Sequence, residues 1–162
     1  MKRAKLVPAS LIHVGPLAAN MREADRIECQ AFGRTPKQAL RLSLRTSFDG
    51  HALTALDPDT GMALAMMGVS AVDLLGGTGS PWFLGREEVF EYARDLVDRG
   101  PKIITWWHET FPLMANVVAA DNHKAIRLLR RWGATVVDGP IEKIGGVEFK
   151  PFRFEASVRP RP

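Results

Sequence analysis

Residues 122–137 read NHKAIRLLRRWGATVV, and no other stretch of the chain restricts the fold so tightly. Ala125, Ile126, Leu128, Leu129 and Trp132 recur at helical spacing, with Lys124, Arg127, Arg130 and Arg131 on the other side. One face of such a helix packs and the other is cationic. Asp121 or Asn122 is placed to accept from the first-turn amides, and Gly133 to take the left-handed conformation that stops a helix. The β-branched run beyond Gly133 and the apolar residues 115–119 before Asp121 read as strands, so the segment predicts a strand, a helix and a strand in close succession.

The rest of the chain supplies more of both element types. A short strand is expected at 11–14, followed by a helix with Met21, Ala24, Ile27 and Ala31 on one face and a stop at Gly33. Thr35, Pro36 and Gln38 form a capping box with proline at the first helical position, predicting a helix over 36–47. The stretches 51–56 and 62–74 form a hairpin about the turn Asp57-Pro58-Asp59-Thr60-Gly61. Gly76, Gly77 and Gly79 bend the chain into a strand at 81–84, and Val89, Phe90, Ala93, Leu96 and Val97 mark a helix that Gly100-Pro101 is expected to break. A further short helix at 103–111 and a last strand at 147–156 complete the order. One domain over 1–156 with a disordered basic tail at 157–162 is the expected organisation.

The 162 residues, 46% of them hydrophobic, suit a single core. A net charge of +4 permits an acidic partner such as coenzyme phosphates, nucleic acid or an acidic protein surface. Cys29 is the only cysteine, which excludes an internal disulfide, and no Cys/His spacing suggests a metal. Pro8, His13 and Pro16 interrupt the apolar core that a signal peptide needs, so the start reads as mature protein. No apolar run approaches the roughly 18 residues of a membrane span.

The motif Asn122, Ala125, Ile126, Gly133, set between two strands, resembles the C-terminal half of GNAT-superfamily N-acetyltransferases, whose pattern runs Asn-x-x-Ala-Ile-x-x-Tyr-x-x-x-Gly-Phe. The order of elements extends the resemblance over about residues 5–156. It implies an α+β fold, GNAT-like, with a mixed central β-sheet flanked by helices on both faces. Leu129 stands where the family has the tyrosine that protonates the departing coenzyme A thiolate, and Ala134 where it has phenylalanine. Within this resemblance, MREADRIECQAFGRTP, PWFLGREEV and the Asn116-Val117-Val118 segment are similar to a GNAT-like family of short-tailed bacteriophages, known as internal virion protein A (internal core protein A) or as acyltransferases.

That resemblance supplies the candidate site. The family holds the coenzyme pyrophosphate on backbone N–H groups of a glycine-rich loop after the central strand. Here that position reads Leu84-Gly85-Arg86-Glu87-Glu88, which keeps one glycine and one arginine and adds two carboxylates. The resemblance implies coenzyme contacts from the backbone of Leu84 and Gly85, phosphate contact from Arg86, and Asn122 along the coenzyme arm. Glu23 and Glu28 lie one and a half turns apart on the first long helix and read as solvated charges rather than as a base. The residues at 76–79 read as a hairpin bend rather than a phosphate nest. His108-Glu109 lacks the second histidine of a zinc-protease motif, Pro112 standing in its place, and Gly68-Val69-Ser70 lacks the second glycine of a nucleophile elbow. Trp106 and Trp107 read as core or partner contacts rather than as base-stacking residues.

The resulting expectation is a bacteriophage virion-associated structural or assembly protein with a degenerate catalytic site and no cofactor. Its partners would be head, portal or tail proteins, with DNA a further partner through the basic helix face, in the virion and in the bacterial host cytoplasm during assembly. The alternative is an active acetyl-CoA-dependent N-acyltransferase, since attack by an amine on a bound thioester proceeds largely through positioning and electrostatics.

Overall fold

The computed structural model describes residues 2–138 and 142–157. The first strand, β1 (Lys5–Pro8), lies before the expected 11–14 segment. That segment forms a 3-10 turn, Leu11–His13, leading into α1 (Val14–Ala19), because Ser10 and His13 cap it reciprocally. Next come α2 (Glu23–Ala31) and α3 (Pro36–Thr46). The predicted box opens α3: the Gln38 N–H donates to Thr35 Oγ1 at 3.2 Å and the Thr35 N–H to Gln38 Oε1 at 3.0 Å.

The hairpin of β2 (Leu53–Leu56) and β3 (Ala63–Asp73) forms as expected, and β3 turns back into β4 (Thr78–Gly85). A 3-10 segment, Glu87–Tyr92, then feeds α4 (Ala93–His108). The expected break at Gly100-Pro101 does not occur, and no separate helix spans 103–111. Leu96, Gly100, Ile104 and Trp107 make one buried stripe through the proline, so packing holds the helix together where local preference would end it. Gly100 lacks a side chain because the Trp132 indole lies against it. The chain closes with β5 (Leu113–Ala119), α5 (His123–Arg131), β6 (Thr135–Val136), β7 (Glu142–Ile144) and β8 (Val147–Glu155). Gly133 has the positive φ, +100°, that ends α5. The expected tail lies, from residue 158 on, outside the described residues.

The sheet has the order β1-β2-β3-β4-β5-β8-β6, with β7 also on β8. Every pairing is antiparallel except β4 with β5. Val14 and Leu17 of α1, Cys29 of α2 and Leu40 of α3 pack with Met66 on one face. Leu96, Ile104 and Trp107 of α4, Ile126 of α5 and Trp132 pack with Met67, Val69 and Phe152 on the other. The fold is thus α+β, with a mixed sheet covered by helices on both faces. No helix among the described residues is long and apolar enough to cross a membrane.

Candidate functional site

The parallel pair β4 and β5 is joined only at Thr78–Leu113 and Gly79–Met114, and then diverges. Each strand stays paired on its other side, so two strand edges face one another across a slot. The phase of the ladder decides which groups face it. The Arg86 N–H bonds the Leu64 carbonyl at 2.9 Å, so residues 82, 84 and 86 are tied to β3 and residues 81, 83 and 85 point across the slot. The Ala120 N–H bonds the Glu148 carbonyl at 2.9 Å, which in the same way turns residues 115, 117 and 119 of β5 toward the slot.

Side chains satisfy most of these edge groups. At the apex Asn116 bridges the strands: its Nδ2 donates to the Pro81 carbonyl at 2.8 Å and its Oδ1 accepts from the Val117 N–H at 2.8 Å. At the mouth two carboxylates one turn apart on α2 hold the strand ends. Asp25 Oδ2 accepts from the Gly85 N–H at 2.9 Å, and Glu28 Oε1 accepts from the Ala119 N–H at 2.9 Å. Between these clamps the Phe83 N–H and C=O face the slot with no partner among the described residues. The gap forms a cavity of about 310 Å³ that crosses the sheet, walled by Trp82, Phe83 and Leu84, by Arg22, Asp25 and Glu28 from the α2 side, and by Leu128, Leu129 and Trp132 from the α5 side.

The α2 side of this cavity is charged. The Arg22 side chain is 6% exposed, donating to Asp25 Oδ1 at 2.9 Å and to Asn122 Oδ1 at 3.2 Å. Asn122 Nδ2 donates to Glu28 Oε1 at 3.0 Å, which links Glu28 to Asp25 through Asn122 and Arg22. Burial pushes the Asp25 carboxyl up to about 7 against the pull of Arg22, and burial also raises Glu28 against its bonds from Asn122 and Ala119. Burial, reinforced by the neighbouring Asp25 and Glu28 carboxylates, pushes the Cys29 thiol up to about 12, so it is no nucleophile at neutral pH. Among the described residues Glu28 Oε2 has no partner and no unpartnered side-chain oxygen is buried, so this atom is accessible on the cavity wall.

Outside the acids lies a cation pair. Glu87 Oε1 accepts from Lys124 Nζ at 2.7 Å and its Oε2 lies 3.5 Å from Arg22 Nε. Both cations flank the Phe90 ring, at 4.9 Å for Arg22 and 5.2 Å for Lys124.

Of the four residues named from the sequence, Leu84 and Asn122 line the cavity. Leu84 does so through its side chain, since its backbone groups belong to β3. The Gly85 N–H is held by Asp25, and the Arg86 N–H by Leu64. The Arg86 guanidinium pairs with Glu88 at 3.1 Å and is not on the cavity wall. Neither Asp121 nor Asn122 caps α5 with its side chain; the Asn122 amide is drawn instead to Arg22 and Glu28. Reading Glu28 as a solvated helix charge is corrected by its two bonds at the slot, whereas Glu23 is exposed. The face of α2 that packs carries Asp25 and Cys29, while Ile27 is 43% exposed. The signal for this was the spacing of Arg22, Asp25 and Cys29, which places two charged residues on the same helical stripe as the cysteine. Of the four cations on α5, Lys124 meets Glu87 and Arg130 meets Asp138. Trp107 is buried and Trp106 stacks on His51, consistent with packing roles.

A mixed sheet that opens between its one parallel pair of central strands, with helices on both faces, is the fold of the GNAT acetyltransferases. Solved structures of that class cover nearly the whole chain. The GNAT-family acetyltransferase of Bacillus anthracis matches with a TM-score of 0.61 at 9% identity, over 95% of each chain. Spermidine N-acetyltransferase from Vibrio cholerae, solved with CoA and spermine, matches with a TM-score of 0.65 at 12% identity, over 94% of this chain and 95% of that one. The phosphinothricin acetyltransferase from Sinorhizobium meliloti, a GNAT-superfamily enzyme solved with AcCoA, gives 0.64 at 14%, over 98% and 93%. No protein-family model and no curated protein matches the sequence.

Proposed function

We propose that the protein is an N-acyltransferase that takes its acyl group from acetyl-CoA. The observation that carries this reading is the unpaired Phe83 N–H and C=O on the wall of the slot. Backbone groups left without partners beside a cavity are matched by an extended arm bearing amides, which binds β4 as an added strand would. The pantetheine portion of the coenzyme has that chemistry, and Asn116, Asp25 and Glu28 hold the Pro81 carbonyl and the Val117, Gly85 and Ala119 N–H groups while the slot stays open. Arg22 and Lys124 are the cations nearest this opening, and a phosphate would take the place of the Glu87 carboxylate between them.

Acetyl-CoA supplies an activated thioester. Glu28 is held at Oε1 by two donors, which leaves Oε2 to accept a proton from an incoming amine. Its raised pKa makes it a better base near neutral pH than an ordinary glutamate. The amine nitrogen forms the new C–N bond, its proton passes to Glu28, and the C–S bond breaks with the electron pair on sulfur. Leu129 lines the cavity where the family's tyrosine would stand, so the thiolate leaves unprotonated, which a thiol of ordinary pKa tolerates. Thermal unfolding with and without acetyl-CoA tests the reading. At about 100 times the dissociation constant binding adds roughly 2.7 kcal/mol, a rise of about 5–10 °C at this size; no rise at millimolar ligand would refute it.

Leu129 and the Glu87 carboxylate on the two cations favour a second reading, a GNAT fold kept as a virion part that contacts head, portal or tail proteins and is made in a bacterial host's cytoplasm. Purified phage particles that contain the chain, together with a silent acetyl-CoA titration, would select it.

A further inference from the structure

Beside the cavity lies a recess of about 300 Å³ lined by Arg34, Gln38, Arg41, Leu42 and Arg45. Arg34 and Leu42 line both spaces, so the recess adjoins the cavity on its α3 side. Arg34, Leu42, Ser43 and Thr46 line the cavity together with Glu28. The charge pattern here is not that of an ordinary solvated helix. Residues 36–46 carry Lys37, Arg41 and Arg45 and no acidic residue. Lys37, Arg41 and Arg45 follow at i, i+4 and i+8, a spacing at which like charges repel and opposite charges would stabilise. Among the described residues none of Arg34, Arg41 and Arg45 pairs with a carboxylate, in contrast to Arg22, Lys124 and Arg130. Three exposed guanidiniums converging on one recess raise the local concentration of anions and supply forked donors for a carboxylate or phosphate.

We infer that this recess is the acceptor's specificity subsite: the substrate is an amine that also carries a carboxylate or a phosphate, with the amine at Glu28 and the anionic group on Arg34, Arg41 and Arg45. This rests on the acyltransferase reading for the transfer step, in which the donor is acetyl-CoA, but the anion subsite is testable by itself. Arginines on the approach repel polyamines, so the acceptor class differs from the polyamine held by the Vibrio cholerae enzyme's structure.

The test is calorimetric titration of the full chain with phosphoethanolamine, glycyl-aspartate and putrescine, with and without acetyl-CoA, alongside an R41Q/R45Q double variant. Both side chains are exposed, so the variant keeps its fold. Expected are binding of one or both anionic amines, no binding of putrescine, and at least a tenfold weakening in the variant while its response to acetyl-CoA is unchanged. Phosphoethanolamine alone binding would assign the subsite to phosphate, and glycyl-aspartate alone to carboxylate. Putrescine binding more tightly than both, failure of both anionic amines to bind, or equal affinities in variant and wild type would overturn the inference. Anionic amines that bind and respond to R41Q/R45Q while acetyl-CoA does not bind would instead sink the acyltransferase reading and leave the anion site standing.

Discussion

Gly100→Ala probes the contact that lets α4 run through its proline and sets one wall of the cavity. In an isolated helix the change would add about 1 kcal/mol of stability. Here a Cβ at residue 100 would stand 2.5 Å from Trp132 Cδ1 and closer still to the indole nitrogen. Trp132 is 8% exposed and donates through Nε1 to the Leu96 carbonyl at 2.9 Å, so its ring has little room to retreat. Overpacking costs about 1–3 kcal/mol, and breaking a buried hydrogen bond costs about 1–3 more. After the propensity gain the net loss is about 1–5 kcal/mol, a fall in Tm of roughly 2–20 °C for a chain of this size. Urea and thermal unfolding measure it directly. Adding Trp132→Phe, which shrinks the ring and removes the donor, should make the Gly100→Ala penalty smaller than in the wild-type background, because the two residues are in contact. A Gly100→Ala protein as stable as wild type, or a penalty that does not depend on Trp132, would refute the packing account.

Glu28→Gln keeps an oxygen to accept from Ala119 and Asn122 but removes the base, so thiol release from acetyl-CoA with an accepted amine should drop by about 10²–10⁴ in kcat with little change in Tm; unchanged kcat would mean that another group takes the proton. Glu87→Gln frees Arg22 and Lys124, and calorimetry at low salt should show acetyl-CoA binding several-fold more tightly; weaker binding would show that Glu87 supports the site instead of occupying it. The folded-state pKa of Asp25, about 7, lies above its ordinary value near 4. The folded state therefore holds this proton more firmly than the unfolded chain, so the stability from this group is greatest below about pH 4 and falls as the pH climbs toward 7. Urea midpoints between pH 4 and 8 should show that fall, and Asp25→Asn should flatten it; a midpoint that rises through this window in wild type and variant alike would contradict the assignment.

The local signals that the sequence carried were those whose physics is confined to a few residues. The Thr35/Gln38 box, the turn at Asp57–Gly61 and the glycine stop at Gly133 each satisfy or release backbone groups within one turn of chain, so residue type alone decided them. The two-faced pattern at 122–137 predicted α5 for the same reason. Tertiary structure decided whatever depended on a distant partner. Gly100-Pro101 reads as a break, yet α4 continues because the sheet and Trp132 pack against both its halves. The apolar residues of α2 suggested an inward face at Ile27, but the diverging edges of β4 and β5 need hydrogen-bond partners, and Asp25 and Glu28 turn inward to supply them. Asn122 looked like a cap and became the link between Arg22 and Glu28. Leu84 and Gly85 were expected to offer backbone contacts; ladder phase turns the backbone groups of Leu84 to β3 and leaves those of Phe83 facing the slot, and phase is set by the pairing of β4 with β3, not by the identity of any residue in the loop. Residue type determines what a short segment satisfies for itself; which polar groups are left over at a sheet edge, and which charges must turn in to meet them, follows only once the strands are in register.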